Sequence, residues 1–125
     1  MCSSDLFVPP WNRCTEATAR LLEELGYRGL SRIAGSAPLA TGRIREIPVT
    51  LDLFTWRPSA RLRDAQEIAR ELAAQIETRD RIGVMLHHKV MDDEARALVA
   101  AILSPMRRAP IVEVHTFRSL LALPE

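Results

Sequence analysis

Neither sign of charge prevails in this chain: 17 Lys and Arg stand against 16 Asp and Glu, a net charge of +1. The arginines are scattered rather than clustered, so the sequence carries no electrostatic footprint for a phosphate backbone or an anionic bilayer, and nucleic acid and membrane are excluded as expected partners. Long apolar runs are missing as well; none approaches the roughly 20 residues that a membrane-crossing helix needs. Cysteine is scarce. Cys2 and Cys14 are too few for a disulfide framework and lack the second pair of a structural zinc site. Histidine is limited to His87, His88 and His115, and no internal repeat or low-complexity tract is present. No secretory signal is legible at the amino terminus, which excludes nothing. Met1-Cys2-Ser3-Ser4-Asp5-Leu6 matches a translated sequencing-adapter tail, so residues 1–6 are expected to be non-native.

What remains is an ordinary globular composition, 47% apolar and 26% charged over 125 residues. That suits one domain or part of one, able to bury about two-thirds of its unfolded surface.

Pro9-Pro10 forbids helix and predicts a rigid, extended approach. Cys14, Ala17, Thr18, Leu21, Leu22 and Leu25 recur as one helical face, with Asn12 or Thr15 as cap and Gly26 as the left-handed stop. A short strand is expected within 27–34 and another over 44–53, where Pro48 argues for an edge or a bulge. After Trp56-Arg57-Pro58-Ser59 the clearest helix places Leu62, Ala65, Ile68, Ala69, Leu72 and Ile76 on one face. The apolar run from Ile82 then reads as a buried strand that ends in His87-His88. Asp92 is placed to cap the next helix, whose expected buried stripe is Ala95, Leu98, Val99, Ile102 and Leu103. Pro105 and Pro110 bound a connection, residues 111–114 read as a strand, and 117–123 as a last helical turn or two. Alternating strands and helices imply right-handed crossovers and a mainly parallel α/β sheet. Too few strands are present to close a barrel, and a partial sheet would leave a strand edge and an apolar face uncovered.

Three segments stand just past strand ends, where ligands gather in parallel sheets: Pro9-Pro10-Trp11-Asn12-Arg13, Asp52-Leu53-Phe54-Thr55-Trp56, and Leu86-His87-His88. With Leu25-Gly26-Tyr27-Arg28-Gly29-Leu30-Ser31 between them, their order resembles the later motifs of the polysaccharide deacetylase (NodB-homology) family, whose fold is an irregular (β/α) barrel. The similarity runs from Phe7 to nearly the carboxyl terminus and is closest to bacterial members. It implies that residues 7–125 form the carboxyl-terminal half of such a barrel, with the amino-terminal half of the same domain as its missing partner and an acetylated carbohydrate as substrate. In the intact protein a divalent metal, zinc or similar, would polarise the acetyl carbonyl, an aspartate would act as base, and a histidine would protonate the leaving amine.

That histidine would be His87, whose ordinary pKa near 6.5 suits proton exchange near neutrality. His88 stands where many relatives carry aspartate. Trp11 takes the aromatic place of the groove motif, next to Pro10, so its N–H would be an oxyanion donor and its ring a platform for a sugar face. Val8 replaces the arginine usual in that motif and Asn12 the glycine, leaving Arg13 as the cation able to reach the cleft. Asp52 and Trp56 would orient the neighbouring groups and wall the acetyl pocket. The residues also allow plainer roles: Trp11 as the anchor of a Pro-rich turn, Asp52 as a strand-end cap, one histidine in a loop wall and His115 structural.

The family's metal site needs an Asp-Asp pair ahead of the groove motif and a His-x-x-x-His pair, and this chain has neither. Two histidines adjacent on an extended strand point to opposite faces, so they are not expected to share an ion. The chain alone is therefore expected to bind no metal and to be inactive. The alternative is a complete small α/β binding or interaction domain with Trp11 and Trp56 in its core.

Overall fold

The computed structural model describes residues 5–124. Most of the expected tail, Cys2 included, lies outside the described residues. The chain divides into two compact units, one reaching from the amino-terminal region to Thr50 and taking in the segment from His115 onward, the other Leu51–Val114.

In the first unit β1 (Leu6–Phe7), β2 (Gly29–Leu30) and β3 (Arg45–Glu46) form a three-stranded parallel sheet in the order β1-β2-β3. Leu6, assigned to the tail, pairs with Gly29, and the Asp5 carbonyl accepts from Arg28 and Gly29. Between β1 and β2 lies α1 (Glu16–Glu24), capped by the Thr15 hydroxyl, which accepts from the Thr18 N–H at 3.2 Å. Cys14 thus stands outside the helix rather than on its face. The helix closes in a Schellman turn, with Gly26 at φ +86 donating to Glu23 and Tyr27 donating to Leu22. Only Ala19 and Leu22 of α1 are buried. Leu21 and Leu25, expected on the buried face, are exposed because one short sheet covers a narrower stripe than the sequence offers.

The helix α2 (Phe117–Ala122) rejoins this unit. A Cβ at Gly29 would stand 2.9 Å from a Leu6 methyl and 3.0 Å from a Leu121 methyl, so a larger residue there would have to displace the ends of these two side chains. Arg28 and Arg45 donate to the carbonyls of Leu120, Leu121 and Leu123, neutralising the negative helix end. The expected single strand over 44–53 is interrupted. Pro48 lacks the N–H a ladder requires, and the chain passes from β3 through one isolated bridge, Ile33 with Val49, before strand structure resumes in the second unit.

The second unit has a parallel pair, β4 (Leu51–Asp52) with β7 (Val84–Met85), and an antiparallel hairpin, β5 (Phe54–Thr55) with β6 (Arg61–Leu62). Two 14-residue helices, α3 (Ala65–Thr78) and α4 (Asp93–Met106), complete it; α2 is the carboxyl-terminal helix named above. Leu51, Leu53, Phe54, Ile68, Leu72 and Ala95 make the core, with Leu98, Val99 and Ile102 packed against it.

Several expectations are corrected here. Leu62 belongs to a strand, because Asp64 accepts from Gln66 and Glu67 and fixes the start of α3 after it. Leu103 of α4 is 41% exposed rather than buried. Pro105 lies inside α4, in its last turn, and the helix stops one residue later. Residues 111–114 form no strand: Ile111 lies in a turn, where the Val112 N–H donates to the Ala109 carbonyl at 3.3 Å, and 112–114 have no regular structure. The histidine strand is short and far from buried, with Val84 38% and Leu86 41% exposed. No closed barrel is seen among the described residues, and of the four pairings between named strands β1–β2, β2–β3 and β4–β7 are parallel and β5–β6 is antiparallel.

Candidate functional site

The parallel register of β4 and β7 sets Asp52 opposite Met85. Strand alternation puts residue 87 on the same face as residue 85. Strand pairing ends at Met85, and two residues on His87 adopts φ +47, a left-handed conformation more open to histidine than to most residues, while its carbonyl accepts from the Val90 N–H at 3.0 Å. The result is a contact between residues 35 apart in sequence, with His87 Nε2 at 3.0 Å from both Asp52 carboxylate oxygens.

The carboxylate is held from three further directions. Asp52 Oδ1 accepts from the Phe54 N–H at 2.9 Å, a local turn of the kind aspartate favours. Oδ2 faces the Trp56 indole N–H at 3.4 Å. The Asp52 backbone carbonyl accepts from Arg63 Nη1 at 2.8 Å. Aromatic rings wall the imidazole: Trp56 lies 4.5 Å from it, ring centre to ring centre, and Phe54 5.8 Å, both edge-to-face. The pair is not sealed, since the side chains of His87 and Asp52 are 24% and 32% exposed.

An ionised carboxylate offers no hydrogen, so the nitrogen facing it is the donor. That leaves His87 Nδ1 as the atom able to exchange a proton with another molecule. Phe54 also lines an open cavity of about 520 Å³ together with Arg61, Arg63, Asp64, Asp92 and Glu94.

Asp52, Trp56 and His87, picked from sequence, are thus brought together. His88 is exposed and lies in the turn that follows, and because the backbone at His87 is left-handed the two histidines do not stand on an extended strand. Pro10, Trp11 and Arg13 belong to the first unit. Pro10–Asn12 is a tight 3-10 turn rather than an extended approach, with both Trp11 (φ +56) and Asn12 (φ +57) left-handed. Asn12 Oδ1 accepts from the Ile33 N–H at 3.0 Å, which pins the turn. Trp11 is 84% exposed and Trp56 41%, so neither is a core residue, against the alternative expectation. Among the described residues nothing accepts from the Trp11 N–H. Cys14 is a free thiol pushed above its ordinary value chiefly by burial, which makes it a weak nucleophile.

Phe54 and Arg63 were not singled out in the sequence. The signal for both was the five-residue stretch 56–60 between two short apolar-polar pairs, which reads as a hairpin loop.

Comparisons with protein-family models, with curated proteins and with solved structures find no match. Among the described residues no group of three or more His, Cys, Asp or Glu stands close enough to hold a metal ion. Asp52 and His87 are two potential donors, and they are turned on each other. The described residues do not by themselves fit the divalent ion that the resemblance implies.

Proposed function

We propose that this chain supplies the proton-donating part of a carbohydrate deacetylase site, as the carboxyl-terminal half of a partial (β/α) barrel whose metal and base stand on residues outside it. The observation that carries this reading is the meeting of Asp52, Trp56 and His87 around one carboxylate, with Nε2 at 3.0 Å. In this reading Asp52 holds the Nε2–H and thereby fixes the ring. The imidazolium form then gives its Nδ1 proton to the amine that departs from the acetyl group, a contribution of about 100- to 10,000-fold for a well-placed general acid. Trp56 and Phe54 cover the imidazole and present an apolar wall to a methyl group. Within the first unit, Trp11, whose ring is exposed, with its neighbours Pro10 and Arg13, answers to the groove motif of the resemblance.

A lone acid does not hydrolyse an amide. The 125 residues alone are expected to release no acetate from an acetylated chitooligosaccharide or a chromogenic acetate ester, with zinc or cobalt added. Ligand contact is the sharper test. Titration with the acetylated chitooligosaccharide, followed by nitrogen-15 NMR, is expected to shift the Trp56 indole and His87 imidazole signals, whereas unchanged signals at millimolar sugar would count against the proposal. Metal-dependent turnover by the chain alone would refute its dependence on residues elsewhere.

A further inference from the structure

We infer that Arg63 is a positioning residue of the His87–Asp52 pair, acting through the Asp52 backbone carbonyl. The inference rests on that pair being the working pair of the proposed site. It begins with the ladder between β4 and β7. The Leu51 N–H donates to the Gly83 carbonyl at 3.0 Å. In a parallel ladder alternate residues turn their backbone groups to opposite sides, so Asp52 turns its own away from β7. Among the described residues β4 has β7 as its one paired strand, so no ladder receives them on that side. Arg63 takes that place, with Nη1 2.8 Å from the Asp52 carbonyl and its own N–H 2.9 Å from the Leu53 carbonyl.

The guanidinium is itself fixed. Its side chain is 14% exposed, and Nη2 donates to Glu67 at 2.7 Å and to Glu71 of α3. A planar fork with several donors can join two glutamates and a carbonyl at once, which a lysine cannot. A hairpin staple needs only the two glutamates and the backbone bond. The bond to the Asp52 carbonyl does something more: it holds the peptide that follows the Asp52 Cα. The carboxylate's own rotation is limited by the Phe54 N–H, the Trp56 indole and His87, and Arg63 steadies the backbone from which that side chain projects. Supporting groups of this kind hold a reactive side chain within the fraction of an ångström that proton transfer requires.

The test uses the full chain and reads the His87 imidazole Nε2–H by nitrogen-15 NMR, as its rate of exchange with water, beside the exchange of the core amides. Arg63→Gln is expected to speed exchange of that hydrogen about tenfold, the loss of one charged hydrogen bond's worth of order, while amides of Ile68, Leu72 and Ala95 stay unchanged. Arg63→Lys is expected to restore only part of the protection. Asp52→Ala, which removes the acceptor, serves as the reference. If Asp52→Ala leaves the hydrogen as protected as in the parent chain, the pair itself is refuted. If Asp52→Ala exposes it and a folded Arg63→Gln does not, or if Arg63→Gln speeds the core amides equally, the positioning role is overturned and Arg63 is a staple. Should Arg63→Gln fail to fold, Glu71→Gln loosens the same guanidinium more gently, and there a selective speeding of several-fold supports the role while an unchanged rate overturns it.

Discussion

In the first unit the guanidinium of Arg32 is closed off. Its side chain is 5% exposed, both its ends meet the Glu46 carboxylate, and Nη2 also donates to the Ala37 carbonyl at 2.7 Å. In the second unit the imidazole of His87 meets Asp52 through one nitrogen, and a quarter of the side chain remains open to solvent. The aromatic groups show the opposite arrangement. Trp56 is tied to Asp52 and braced by Phe54 and His87, whereas Trp11 stands free on a strained turn. The Arg32 guanidinium, buried and bound to a carboxylate and a carbonyl of its own unit, holds the fold together. The His87 imidazole, partly open to solvent under an aromatic wall, has chemistry to offer as well.

The largest test of this contrast is to break each pair in turn. Glu46→Ala leaves the Arg32 guanidinium buried with one carbonyl for company, and is expected to cost about 3 kcal/mol, seen as a lower urea midpoint. His87→Ala removes half of a pair that water already reaches, and is expected to cost about 1 kcal/mol or less. Equal losses would erase the distinction between a buried guanidinium and a partly open imidazole.

Much of the second unit was legible because its signals are local. The Asp64 and Asp92 caps and the 3.6-residue periodicity fix the two long helices, and the strand-end positions of Asp52 and His87 survive any error in strand length. The hairpin was not legible as such: Leu62 continues the apolar period of the following helix, and only the cap at Asp64 separates the two. The meeting of His87 Nε2 with Asp52 depends on parallel register and a left-handed residue, neither of which a single sequence states. Arg63 was invisible for a related reason. Its glutamate partners lie at i+4 and i+8 along one helix and look like a solvated face, while its third partner is a backbone carbonyl. The exposed Leu21, Leu25 and Leu103 were misjudged because periodicity reports what a helix could bury, and the sheets here are too small to cover it.

The next effect has the opposite sign. Trp11 and Asn12 each hold φ values that cost a non-glycine residue about 1 kcal/mol or more, and Trp11 gains little packing in return because its ring lies in solvent. Trp11→Gly is therefore expected to raise the stability of the chain by about 1 kcal/mol, read as a higher urea midpoint, while abolishing any sugar-induced change in fluorescence at that position. Trp56→Gly should do the reverse to stability, since it removes a ring packed on Phe54 and His87. A loss of stability with Trp11→Gly would mean that the ring is an anchor of its turn and not a group held out for a partner.

The smallest effect concerns a carboxylate that, unlike Asp52, spends itself on backbone alone. Glu23 Oε1 accepts from the Arg43 N–H at 2.6 Å and the Ile44 N–H at 3.2 Å, and these bonds, the one from Arg43 first, hold it below its ordinary value of 4.5. A lowered value in the folded state means that the ionised form is preferred there. Its contribution is complete above the ordinary carboxylate range and is lost as pH falls through the lower folded value. The amide signals of Arg43 and Ile44 are expected to move together over that acidic interval, and to hold still in Glu23→Gln, which keeps an acceptor but has no proton to take up. Movement of these two amides at the ordinary carboxylate value, or its persistence in the Gln variant, would show that the loop at 43–44 answers to another group, and that the first unit's carboxylates are less completely engaged than the Arg32–Glu46 pair suggests.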